Sequence, residues 1–201
     1  FIAAWYPTRA ITSHSINKTL IILLATGSIC SCTPHYSGDK KSGLPTEYTS
    51  AYQEIYGVCY DSIAYPVVAL DLYSDGLELD TNHHMQGTGY NLYISDIFLP
   101  LKTGADSLHI KPGIYRSDTT ALPYTFLPGK DWEGTPSGMY LLRVDNSALE
   151  SIQVLDSGTI VIRDTTNNLT DLQFTLYYKN QYGYKATYTT HFQGELIPWK
   201  K

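Results

Sequence analysis

The chain is short of most residues that announce a ready-made chemistry. It holds three cysteines, Cys30, Cys32 and Cys59, too few for a disulfide framework. Charged residues are only 16% of the total, no basic run exceeds two residues, and the formal net charge is −5. A phosphate backbone therefore finds no electrostatic grip, and nucleic acid is excluded as an expected partner. There is no Gly-x-Ser-x-Gly elbow, no Cys-His neighbourhood and no phosphate-binding glycine loop ahead of a helix. The longest mostly apolar run, Thr19 to Ile29, has 11 residues, against about 18 or more for a membrane-spanning helix. No catalytic residue and no cofactor is implied.

What is present begins with that same run. Lys18, helped by Arg9, precedes it, and Ile29-Cys30-Ser31-Cys32 follows. A positive start, a short apolar stretch and small residues before a cut make a secretory signal. An ordinary signal cleaved near Ser31 is one reading. The other starts from an aliphatic residue three before Cys32 and a small residue one before it. This pattern resembles the lipobox of bacterial lipoproteins. The resemblance implies cleavage before Cys32, lipidation of that cysteine, and a membrane partner reached through the lipid. Cys30 has Gly27 three before it and fits the pattern less well. Residues 1–15 fit no part of a signal and read as upstream sequence.

Three segments follow: residues 1–31 as upstream extension and signal, 32–46 as lipidated cysteine and tether, and 47–201 as a folded domain. The leader contains Arg9 and Lys18 and no acid, so residues 32–201 carry 12 basic against 19 acidic side chains, a net −7. Thr33 to Thr46 is polar and rich in Pro, Gly and Ser, as a flexible tether is. Cys59 would then lack a partner, and its place in the alternating run Tyr56 to Tyr60 predicts a buried thiol.

Eighteen tyrosines against two methionines lean the remainder toward strands. Glu47 to Tyr60 admits a helical stripe or a strand over its second half. Val67 to Tyr73 alternates cleanly, with Val68, Leu70 and Leu72 on one face and Asp71 and Tyr73 on the other. Ser74-Asp75-Gly76 signals a turn, and Leu77 and Leu79 resume the apolar face. Gly87-Thr88-Gly89 opens a strand whose rhythm breaks at Asp96, which predicts a bulge or strand end. Pro112-Gly113 and Pro128-Gly129 are turn signals, and Gly129 to Gly138 reads as a loop. Met139 to Val144 and Ile152 to Leu155 follow. The most regular part runs from Thr159 to Leu196. There a turn at Asn180 to Gly183 would set Tyr178 opposite Tyr184, Leu176 opposite Ala186 and Phe174 opposite Tyr188. The expectation is an all-β fold, an antiparallel sandwich or barrel of about eight strands.

The succession LHIKPGIY, YTFLPGK, SGTIVI, LQFTLYY and YKATYTTHFQGEL also resembles a recurrent domain of small Bacteroidetes lipoproteins. That resemblance spans roughly Val67 to Ile197. It implies a single β domain in the cell envelope, anchored to the outer membrane on its periplasmic or surface face. It transfers no catalytic residue.

Candidate sites are few. His83-His84 could ligate a metal only from an irregular loop, because neighbours in a strand face opposite ways. Asp71, Asp75 and Asp80 lack the spacing and closing glutamate of an EF-hand and read as turn formers; no metal site is expected. Asp131, Trp132 and Glu133 form the best binding candidate, an aromatic ring flanked by acids that suits a sugar's apolar face and hydroxyls. Tyr73, Tyr93 and Tyr177, expected to point outward, would extend that platform. The alternative for Trp132 is a plug at one end of the core. The expected role is a non-catalytic envelope lipoprotein binding glycan or protein. An accessory subunit of an envelope complex is the alternative, and a glycan hydrolase using unidentified acids the third.

Overall fold

A computed structural model describes residues 43–60, 65–101, 109–164 and 169–199. The signal, Cys32 and the tether up to residue 42 lie outside them, as does the turn expected at Thr165 to Asn168. Among the described residues there is no helix and there are sixteen strands. They are β1 (Glu47–Tyr48), β2 (Ser50–Gly57), β3 (Val67–Tyr73), β4 (Leu77–Leu79), β5 (Met85–Gly87), β6 (Gly89–Phe98), β7 (Gly113–Ser117) and β8 (Thr125–Phe126). The second half holds β9 (Lys130–Trp132), β10 (Thr135–Ser137), β11 (Met139–Asp145), β12 (Ala148–Val154), β13 (Ser157–Asp164), β14 (Thr170–Lys179), β15 (Lys185–Gly194) and β16 (Leu196–Pro198).

Twelve strands form one large, strongly curled half-barrel sheet; β9–β10 and β4–β5 are separate two-stranded ribbons. The expected all-β class holds, but the large sheet is mixed rather than wholly antiparallel. Parallel pairs join β1 to β15, β16 to β2 and β7 to β8. The first two link the beginning of the domain to its end, Tyr48 opposite Phe192 and Ala51 opposite Leu196. Sequence periodicity sees a strand's faces and not its neighbours, so partners so far apart in the chain leave no local trace.

The inner face of the curl is the core. Val68, Leu70, Leu72, Leu92, Ile94, Tyr115, Phe126, Ile160, Leu172, Phe174 and Leu176 are all essentially inaccessible. Each large apolar side chain so buried contributes roughly 1.5–3 kcal/mol before chain entropy is counted. A smaller cluster of Tyr73, Leu77 and Val144, with Tyr52, Leu79 and Met85 packed against it, sits on the outer face under the β4–β5 ribbon.

Asp96 marks a change of neighbour. Val68 pairs with Ile97 and Leu70 with Ile94, so Ser95 and Asp96 stand against Ala69 alone, a bulge with Asp96 at φ 51°. Before it β6 pairs with β11; beyond it, with β8. The bulge thus lets one strand serve two parts of a sheet that splays apart.

Three local expectations need correction. In the region 47–60, β2 ends at Gly57, in the left-handed region at φ 67°, so Val58 to Tyr60 lie beyond it and Cys59 is exposed rather than buried. Gly129 to Gly138 is not a loop but the β9–β10 hairpin, with Asp131 opposite Pro136. Glu133 and Gly134 at its tip both have positive φ, 52° and 83°, the type I′ geometry that matches strand twist. Gly138 closes it at φ 73°, and a Cβ there would sit 2.3 Å from the Pro128 carbonyl oxygen. Finally, β14 and β15 pair two residues further along than expected, with Leu176 opposite Tyr188 and Phe174 opposite Thr190. The Asn180 side chain accepts from the Tyr182 and Tyr184 amides at 3.0 Å each, drawing Tyr184 into the turn. A shift of two preserves every side chain's face.

Candidate functional site

Trp132 ends β9 opposite Thr135, at the tip of a two-residue turn. A ring there has no core above it to enter, and it is 74% exposed; it is not a plug. The hairpin forms one wall of an open cleft of about 500 Å³. Lys130, Asp131 and Trp132 line that wall. Ile152 and Val154 of β12, Asp156, and Lys179 at the end of β14 line the rest. Asp131 is partly committed, because its Oδ1 accepts the Gly134 amide at 2.9 Å and so holds the turn. Asp156 is exposed, and its amide donates to the Tyr177 carbonyl at 2.8 Å. Glu133 is exposed within the turn itself.

The turn after Lys179 adds two aromatics that the sequence reading passed over. Tyr182 and Tyr184 are 72% and 73% exposed, and with Trp132 they are the most exposed aromatic rings among the described residues. Their signal was present: aromatic side chains inside Asn180 to Gly183 and just after it cannot reach a sheet's core face. Lys179 belongs both to the cleft and to the strand that delivers this turn. Tyr177, two residues back on the same face of β14, is half-buried, with the Lys185 ammonium 4.2 Å above its ring. That cation covers the ring face a ligand would use. Ile152 and Leu149, on the adjoining β12, are 40% and 56% exposed.

Tyr73 and Tyr93 are not part of this platform. Tyr73 does face away from the main core, but the β4–β5 ribbon covers it and it is 2% exposed. Its hydroxyl donates to Asp71 Oδ2 at 2.6 Å, and the Asn91 amide donates to Asp71 Oδ1. Tyr93 is half-buried and stacks on Tyr140 with centroids 5.1 Å apart. Tyr56 hydrogen-bonds Glu54 on the same outer face at 2.7 Å and meets the Tyr93 hydroxyl at 3.3 Å. These tyrosines tile a strand surface and hold one another.

The aspartates and histidines separate in the same way. Asp80 is a turn former: its Oδ1 accepts the amides of Asn82 and His84 at 2.8 Å each. Asp75 lies exposed in its turn, whereas Asp71 is mid-strand and hydrogen-bonded as above, not in a turn. His83, at φ 63°, packs edge-on against Trp199, and His84 pairs with Asp80 at 3.7 Å. Among the described residues no three metal-ligating side chains converge. Burial, then the nearby Asp96 carboxylate, pushes the Cys59 thiol above its ordinary pKa, the reverse of what a nucleophile needs.

The chain matches no family model, no curated protein and no solved structure.

Proposed function

We propose that this chain is a non-catalytic cell-envelope lipoprotein, anchored by lipid on Cys32, whose β domain binds glycan at the Trp132 cleft. The observation that carries the reading is the convergence of exposed aromatics and charged groups at one end of β14. Trp132 stands over a cleft flanked by Asp131, Asp156, Lys130 and Lys179, and Tyr182 and Tyr184 occupy the turn just beyond. A flat ring stacks on the apolar face of a sugar while the charged groups bond its hydroxyls. Asp131 also holds its turn by accepting the Gly134 amide, and in this reading the acids of the cleft act as hydrogen-bond acceptors for sugar hydroxyls. The fold is read as a barrel. Supporting this are the parallel pairings that return the sheet from β15–β16 to β1–β2, a circuit of eight stations through β3, β6, β8, β7, β13 and β14.

The full chain screened on a glycan array should bind a restricted set of sugars, and Trp132→Ala should weaken binding about tenfold, the loss of roughly 1–1.5 kcal/mol of stacking. Unfolding should move by less than about 0.5 kcal/mol, as for an exposed site. A blank array, or unchanged binding by the variant, overturns the reading. For the anchor, Cys32→Ala should release the protein from the membrane fraction while Cys30→Ala should not. Equal retention of the two would sink it.

A second reading, an accessory subunit of an envelope complex, is favoured by β12. Among the described residues this strand pairs on one side only, with β11, and it exposes Leu149 and Ile152, so that edge could take a strand from a partner. Cross-linking of a Leu149→Cys variant to one envelope protein, with a blank glycan array, would choose it.

A further inference from the structure

The basic side chains of this domain are unevenly spread. Residues 43–101 hold eight acids and no lysine or arginine, so the lysines and arginines of the described residues all come from the later strands. Arg143 of β11 and Arg163 of β13 are neutralised, the first by Glu150 at 2.6 Å and the second by Asp171 at 3.4 Å. Lys130, Lys179 and Lys185 are not: among the described residues no ion pair engages any of them. Lys130 lines the hairpin wall of the Trp132 cleft, and Lys179 belongs to the rest of its lining.

Strand register sets Lys185 directly opposite Lys179. Residues so opposed share one face of the sheet with Cβ atoms about 4.5–5.5 Å apart, and like charges in that arrangement repel. No acid stands beside the pair to offset this. The next row of the same face is Tyr177 opposite Thr187, and the turn on the other side, Asn180 to Tyr184, contains no acid either. The Lys185 ammonium lies 4.2 Å from the Tyr177 ring centroid, which holds it over β14 and on the side of Lys179. Two ammonium groups, each with three N–H donors, are thus held together at the base of an exposed turn.

The carboxylates of this end lie on the other side of β14. Asp131 is on the hairpin, where it accepts the Gly134 amide, and Asp156 immediately precedes β13. The strands run β13, β14, β15 across the sheet, so Lys185 on β15 is the lysine farthest from Asp156. Exposed rings flank the lysines on both sides: Trp132 across the cleft, and Tyr182 and Tyr184 in the turn. A sugar chain that stacks on Trp132 and continues over the end of β14 therefore passes the lysine pair next.

We propose that the glycan taken at this end is anionic, a sugar chain carrying carboxylate or sulfate groups, with a ring on Trp132 and an acidic group between Lys179 and Lys185. The inference rests on the glycan reading of the Trp132 cleft and names the class of sugar. An array of oligouronates and sulfated galactans, each printed beside its carboxyl-reduced or desulfated counterpart, tests it with the detergent-solubilised full chain. The charged member of a pair is expected to bind at least about tenfold more tightly than its neutral counterpart, and to weaken as salt is raised toward about 1 M. Whether uronates or sulfated sugars bind identifies the source of the charge. The double variant Lys179→Gln, Lys185→Gln should lower the charged sugar to the level of its counterpart and leave the counterpart unchanged, whereas Trp132→Ala should weaken both. Both lysines are exposed, and their replacement removes a like-charge pair, so the double variant is expected to fold as the unaltered chain does. Hits confined to neutral sugars, equal binding within pairs, or a preference that survives the lysine substitutions overturns the proposal and leaves the Trp132 reading standing. A blank array removes both.

Discussion

Asp71 sits in the middle of β3, where its two oxygens take the Tyr73 hydroxyl and the Asn91 amide. Burial raises its pKa from the ordinary 3.8, more than those two hydrogen bonds lower it. A carboxyl whose folded pKa is raised favours the native state below the unfolded value and loses that contribution as pH rises through the folded value. At neutral pH the charge is therefore a cost, while the hydrogen bonds are a gain. Asp71→Ala should destabilise by about 2–3 kcal/mol in urea unfolding, because it leaves a buried amide and hydroxyl without their acceptor. Asp71→Asn should cost far less at pH 7, since its amide can donate to Tyr73 and its oxygen can accept from Asn91. Equal losses in the two variants would show that hydrogen bonding at this point is not what matters. Nothing in the alternation of Val67 to Tyr73 distinguishes such a residue from a solvated one. The ribbon that covers its neighbour comes from Leu77 to Gly87, and only packing brings it there.

At the scale of elements, strands with one buried face were legible and strands without one were not. Val67–Tyr73 appears with the bounds its alternation implies, and Leu172 to Tyr178 lies within β14. The β9–β10 hairpin was missed because all but one of its six residues are exposed, so it has no apolar period to read. Its usable signal was the turn, where Glu133 and Gly134 take the left-handed conformations of a type I′ hairpin. Asn146 and Ser147, at φ 48° and 64°, do the same between β11 and β12. The β14–β15 pair shows the complementary limit. Alternation assigned every side chain to the right face, and the hydrogen-bonding of Asn180 then chose between registers that alternation cannot tell apart. For the candidate site, the consequence was uneven. Trp132 could be singled out as an isolated aromatic among polar residues, whereas Lys179, Asp156 and Ile152 reach the cleft from strands that show no local sign of it.

At the scale of the whole molecule, the mainly aliphatic core also takes in Tyr48, Tyr73, Tyr115 and Tyr188, and this carries a pH liability. Tyr48 and Tyr188 are buried and joined hydroxyl to hydroxyl at 2.8 Å. Burial pushes Tyr188 up to about 12 and Tyr48 well above its ordinary 10.0; it also raises Tyr73 and Tyr115, and Tyr140 to about 12. A group whose folded pKa is raised stabilises fully below the unfolded value and loses that contribution as pH rises through the folded one. The window is therefore pH 10 to beyond 12, where the unfolded chain has released protons that the native state retains. Stability should fall steeply there, and tyrosinate absorbance near 295 nm should lag in the native protein and then rise together with unfolding. Full titration near pH 10 with native circular dichroism retained would contradict this. The Tyr48–Tyr188 contact also ties β1 to β15 where the two ends of the domain pair.

By itself the sequence determined the class of fold, the faces of the regular strands, the sites of most turns and the net negative charge. These properties follow from the two-residue period of a strand, from side-chain chemistry at turns and from composition, all of which are local. Only the tertiary structure decided that Tyr73 is covered, that Cys59 is exposed, and that the two ends of the domain run parallel to each other. It also brought a lysine and two tyrosines of the β14 turn to the same end as Trp132. Each of these depends on which distant segments become neighbours in the folded sheet. A strand's sequence records which of its faces is apolar, but not what will be packed against it.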